Sequence, residues 1–113
     1  MKEIKAYIRP EKANEVITAL ESIGISGMTV INVSMLGKWA DQEQSSLSID
    51  FCQKYCTSIK IELICDKTEV DKIIEIILSS GRTERKGDGK IFVSDIENAY
   101  SIRTRAEGVE AIN

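Results

Sequence analysis

No histidine occurs in the 113 residues of the chain. That absence removes the side chain most often used as a general base and the commonest zinc ligand. Three cysteines are too few, and odd in number, for a small secreted scaffold held by disulfides. No apolar run approaches the length needed to cross a bilayer. A net charge of −3 gives no general attraction to nucleic acid or to an anionic lipid surface. The opening stretch, "MKEIKAYIRP", has neither the apolar core nor the small-residue cleavage site of a secretion signal, so a cytoplasmic location is expected.

What is present is ordinary for a globular chain: 42% hydrophobic residues, 29% charged residues and a single proline. The length suits one domain over residues 1–113. Residues 2–9 alternate, with Ile4, Ala6 and Ile8 on one side and Lys5, Tyr7 and Arg9 on the other, which predicts a strand ended by Pro10. Ala13, Val16, Ile17 and Leu20 then recur at helical spacing, and Gly24 supplies the stop. "MTVINVSML" (28–36) is a second strand whose apolar residues fall on both faces, so one side is expected to meet another subunit.

The second half repeats the order. Ile59, Ile61, Leu63 and Cys65 share one face of a strand, and Cys65 reads as core. Asp66 and Glu69 have the spacing of a capping box before a helical stripe of Val70, Ile73, Ile74 and Ile77, closed by Gly81. "KIFVS" (90–94) forms a further strand, and "AYSIRT" (99–104) is a candidate to extend the sheet. Strand-helix-strand taken twice predicts an α+β, ferredoxin-like split βαβ fold (βαββαβ), an antiparallel sheet with two helices on one face.

Residues 37–57, "GKWADQEQSSLSIDFCQKYCT", join two strands that a short hairpin could connect. Structureless connections beyond roughly 12–15 residues are uncommon in small domains and are usually functional or disordered. Trp39, Phe51 and Tyr55 favour a segment that orders against something.

"RTERKGDGKIFV" (82–93) has the composition of an anion-holding turn. Gly87 and Gly89 would let backbone N–H groups approach a ligand, and Lys90 adds a mobile positive charge. Asp88 would sit badly beside a phosphate unless its side chain braces the turn or bonds elsewhere. The turn feeds a strand, so it is neither a Walker loop nor a dinucleotide fingerprint. A plain turn before a strand is the simpler reading of the glycines alone. Arg82, Arg85, Lys86, Lys90, Arg103 and Arg105 crowd the same third of the chain, as polyphosphate or a solvated basic edge would both allow.

Together, "GISGMTV" (24–30), the long loop after Gly37, "KIE" (60–62), "GDGKIFV" (87–93) and "IRT" (102–104) resemble the PII signal-transduction proteins over nearly the whole chain. The resemblance implies a cytoplasmic homotrimer that binds ATP or ADP in clefts between subunits. It implies that Gly87, Asp88, Gly89 and Lys90 meet the phosphates, joined by Arg103 from the adjacent subunit. Thr29, Glu62 and Ile64 would line the adenine and ribose side, with Gly37 and Lys38 at the loop stem. The 37–57 segment would be the T-loop, the arm that contacts a regulated transporter or metabolic enzyme. No tightly bound cofactor, no catalytic residue and no resident metal site are implied, though magnesium could accompany the nucleotide.

The chain departs from the family pattern in its arm. Trp39 stands where a glutamine helps chelate magnesium with ATP and 2-oxoglutarate, and an indole has no metal-binding oxygen. Ser58 replaces a lysine that pairs with the oxoglutarate carboxylate, so typical 2-oxoglutarate sensing is expected to be lost. Ser101 replaces an arginine, and Arg105 stands where the family usually has glycine. Phe51 occupies the position of the tyrosine uridylylated in many bacterial members, Ile49 that of a phosphorylated serine, and Leu47 that of a channel-plugging arginine. Cys52 and Cys56 are spaced to share one face of a helical turn. Two other functions are carried beside the regulatory one. A slow ATP hydrolase would use Glu62 and Asp88 to polarise water, with Lys90 and Arg103 on the developing charge. A thiol or metal sensor would use Cys52 and Cys56.

Overall fold

A computed structural model of the protein describes residues 1–48 and 53–113. Phe51, Cys52 and Ile49 lie outside the described residues. The strands are β1 (Lys2–Ile8), β2 (Thr29–Leu36), β3 (Ser46–Ser48), β4 (Gln53–Cys65) and β5 (Ile91–Asp95), and the helices are α1 (Ala13–Ser22) and α2 (Val70–Gly81). The main sheet runs β2-β4-β1-β5, and its pairs are antiparallel. This is the expected α+β ferredoxin-like arrangement.

The alternation in β1 decides which face is covered. Ile4 lies opposite Leu63, Ala6 opposite Ile61 and Ile8 opposite Ile59, so the apolar sides of β1 and β4 coincide. Ile91 lies opposite Ala6 on the other edge of β1. Onto this face pack Val16 and Leu20 of α1 and Ile73 and Ile77 of α2, which with Ile4, Ala6, Ile8, Ile61, Leu63 and Cys65 form the buried core. α1 ends where expected, with the Gly24 and Ile25 amides donating to the carbonyls of Glu21 and Leu20. Burial raises the pKa of the Cys65 thiol, and Glu69 and Asp66 add to the shift.

The opposite face keeps its polar and aromatic residues. Tyr7 and Phe92 meet edge to face at 6.0 Å, and Trp39 lies tilted against Phe92 at 5.6 Å. Lys60 sits 6.0 Å from the Tyr7 ring centre and pairs with Glu62 at 2.9 Å.

Three expectations need correction. Residues 99–104 do not extend the sheet; a lone bridge between Tyr100 and Glu107 closes a local turn, with Ser101 donating to Ala106. Asp66 and Glu69 form no capping box: the Asp66 carboxylate accepts instead from the Thr68 hydroxyl at 2.6 Å, ahead of a short 3-10 turn, Lys67–Glu69. The 37–57 segment, as its aromatic residues predict, is largely structured where it is described. Two 3-10 turns, Gly37–Trp39 and Gln42–Gln44, precede β3, and β4 already begins at Gln53. Tyr55 pairs with Leu36 of β2 and also with Ser46 of β3, so β3 lies along the edge of β4 that β1 occupies further on. Cys56 is therefore on an extended strand, and the helical spacing proposed for the two thiols does not hold at its described end.

Candidate functional site

The glycine turn is built around one carboxylate. After α2, the chain doubles back so that Asp88 accepts from the backbone amides of Thr83 and Glu84 at 2.8 and 2.9 Å, and from the Thr83 hydroxyl. Its remaining partner is the Arg9 guanidinium, whose Nε donates at 2.7 Å. Partial burial by itself would raise the pKa of Asp88. The bonds from Thr83, Arg9 and Glu84 outweigh it and hold the pKa at about 2. Asp88 thus braces the turn, the condition under which an acidic residue is tolerable there.

Both glycines of the turn are required by close approach. At Gly89 an added Cβ would fall 1.4 Å from the Tyr7 carbonyl oxygen of β1. Gly87 has φ +98°, and an added Cβ would lie 2.5 Å from Cβ of Asp41. The base of the 37–57 segment is therefore packed directly on the turn.

Arg9 joins the two. It is only 6% exposed although it ends the polar side of β1. Its three nitrogens are all engaged: Nε with Asp88, Nη1 with Asp41 Oδ2 at 2.6 Å, and Nη2 with the Lys86 carbonyl at 2.8 Å. Burial pulls the Arg9 pKa down, but the bonds to Asp88 and Asp41 outweigh it and leave it raised. Asp41, equally buried, has a lowered pKa because of its bond to Arg9, opposed by burial and helped by the Glu43 amide. Asp41 also organises its own segment, accepting from the Glu43 amide at 3.0 Å through Oδ1 and from the Gln44 amide at 3.1 Å through its carbonyl. Its own amide donates to Cys56 Sγ at 3.3 Å.

The residues expected to bind a ligand fall into two groups. Gly87 and Gly89 line a cavity of about 220 Å³ with Arg9, Asp41, Cys56 and Ser58. Lys38 lines a neighbouring cavity of about 470 Å³ beside Arg85, Lys86 and Asp41. Thr29, Glu62 and Ile64 come together in a third, of about 360 Å³, with Glu3 and Ile112. Thr29 and Glu62 are direct cross-strand partners. Lys90 is exposed while its carbonyl accepts from the Tyr7 amide at 2.8 Å. Arg103 is exposed on the C-terminal turn, away from these linings. The Gly37 carbonyl closes the first turn of the loop by accepting from the Ala40 amide and from Gln42. Ser58 is buried, and its hydroxyl donates to the Ile8 carbonyl at 2.9 Å.

Sequence reasoning missed Arg9 and Asp41. The alternation placed Arg9 on the solvent side of its strand, and Asp41 is one acid among several polar loop residues. The one available signal was the unexplained Asp88, which called for a cationic or amide partner without naming it.

The fold agrees with what the chain is similar to. The family model "Nitrogen regulatory protein P-II" matches residues 1–106. A nitrogen regulatory protein P-II of Pyropia yezoensis is 47% identical over 99% of this chain and 100% of its own length. That of Rhodobacter capsulatus is 39% identical over the same shares. Nitrogen regulatory protein P-II 1 of Methanothermobacter thermautotrophicus is 38% identical over 99% of this chain and 97% of its own. The chain belongs to the P-II family of nitrogen regulatory signalling proteins. Among the described residues, no helix is long and apolar enough to cross a membrane.

Proposed function

We propose that the protein is a non-enzymatic regulator that binds an adenine nucleotide between subunits of a homotrimer and controls a transporter or metabolic enzyme through its 37–57 arm. The observation that carries this reading is the joining of the glycine turn to the base of the arm by Arg9, Asp41 and Asp88. A ligand can act on a distant partner only by favouring one arrangement of the arm over another, and a shared side chain supplies the physical link. Backbone amides and Lys90 suit phosphates, and the cavity around Thr29, Glu62 and Ile64 suits a base and ribose. Because the two groups line separate cavities of one chain, the nucleotide would span a cleft completed by Arg103 of a neighbouring copy.

The positions that serve 2-oxoglutarate elsewhere in the family are used internally here. Trp39 packs on Phe92, and Ser58 is committed to the Ile8 carbonyl. The proposal therefore includes loss of typical 2-oxoglutarate sensing, and preference for ADP or AMP over MgATP. The other readings gain no support. Asp88 is saturated by donors and Glu62 is paired with Lys60, so neither carboxylate is poised to activate water. Cys56 lies on a strand, and Cys52 is outside the described residues.

Calorimetric titration with ATP, ADP and AMP, each with and without magnesium and 2-oxoglutarate, tests the proposal. The expected result is binding of an adenylate that weakens at least tenfold in Lys90→Ala, with no gain from 2-oxoglutarate. No heat from any adenylate at millimolar concentration would overturn the nucleotide reading. MgATP binding tightened by 2-oxoglutarate would overturn the loss of sensing.

A further inference from the structure

Two carboxylates from distant parts of the chain share one guanidinium at the end of β1. Their holdings are unequal. Asp88 is bound by Arg9, by the Thr83 hydroxyl and by the amides of Thr83 and Glu84. Among the described residues, the Asp41 carboxylate accepts from Arg9 and from the amide of Glu43. Asp88 belongs to a turn anchored to the sheet through Gly89 and Tyr7, whereas Asp41 belongs to the base of the arm. Asp41 is thus an anion of the chain's own, seated on Gly87 and held chiefly by charge.

We propose that Asp41 is a latch: it clamps the base of the arm to the glycine turn through Arg9, and a phosphate-bearing ligand at the turn displaces it by competing for the same guanidinium. The physical reason is the count of charges. One cation already serves two anions, and a third anion brought to the turn raises the cost of keeping all three near Arg9. The carboxylate with fewer other donors leaves first. Its departure removes the contact on Gly87 and frees the 3-10 turn, Gln42–Gln44, that Asp41 organises through its carboxylate and carbonyl. The clamp goes beyond the function proposed above, and only the identity of the displacing anion rests on that reading.

The test uses the full-length protein and amide hydrogen exchange, first without any nucleotide. Asp41→Asn keeps an oxygen for the Glu43 amide but removes the charge held by Arg9. Exchange at residues 40–44 is expected to rise at least tenfold, while the amides of Thr83 and Glu84, held by Asp88, should stay within twofold of wild type. Gly87→Ala attacks the same contact from the turn and should loosen residues 40–44 alike. Circular dichroism and thermal unfolding establish that each variant is folded; if Gly87→Ala does not fold, Asp41→Asn decides alone. Exchange at 40–44 within twofold of wild type in folded Asp41→Asn would overturn the latch. So would an equal rise at Thr83 and Glu84, which would show the Asp88 end to be held no more firmly than the Asp41 end. In a second arm, saturating ADP should speed exchange at 40–44 in the wild-type protein and add nothing in Asp41→Asn. ADP bound by calorimetry with exchange there unchanged or slowed would overturn displacement. ADP that does not bind at all would sink the nucleotide reading, while the nucleotide-free arm would still decide the clamp.

Discussion

Asp88 carries the clearest consequences at the scale of a single residue. Its pKa is held at about 2 against an ordinary 3.8, so the folded protein favours the ionised form. A depressed carboxylate stabilises the fold fully above its unfolded value and loses that contribution as pH falls through the folded one. The contribution is about 2 kcal/mol at neutral pH, and it should fade between 3.8 and about 2. Asp88→Asn should remove this part of the acid dependence, which denaturant unfolding at a series of pH values would register. The glycines give a second contrast. Gly89→Ala forces backbone apart against Tyr7 and should cost at least about 3 kcal/mol. Gly27→Ala, where an added Cβ meets nothing within 4 Å, should stay within about 0.5 kcal/mol. Equal melting temperatures for the two variants would contradict the assigned packing.

Elements divide by how their order is written. β1, α1 and α2 were legible because each satisfies one period over a full element, as Val16 and Leu20 or Ile73 and Ile77 do, and β2 was legible from its β-branched run. Ile73→Ala should therefore behave as a plain core deletion, costing about 2–5 kcal/mol in urea unfolding without altering ligand affinity. The start of β4 was not legible. Residues 53–57, "QKYCT", carry no apolar alternation; their strand pairing comes from Leu36 and Ser46, partners supplied by the chain around them. The capping box failed for a related reason, since Thr68 offered Asp66 a nearer hydroxyl than the backbone geometry of a box requires. The Arg9 junction was illegible because its carboxylate partners lie 32 and 79 residues away, and no local pattern encodes such a meeting.

At the scale of the whole molecule, the shape is elongated. The longest axis is 45 Å and the radius of gyration 15.7 Å, where a compact chain of this length would have about 13 Å. Phe92 and Val30 are large apolar residues left open on the sheet, Tyr100 and Ile102 on the C-terminal turn. The proposed homotrimer predicts three times 12.6 kDa in sedimentation equilibrium, and a species of 12.6 kDa at micromolar concentration would contradict it.

The unbroken course of β4 from Gln53 to Cys65 has a mechanical meaning. One end stands in the arm beside β3, and the other is an inner strand bonded to β1 and β2. The described part of the arm is mounted like a cantilever whose root is the middle of the sheet, so a load carried along β4 is borne as bending where β1 and β2 grip it.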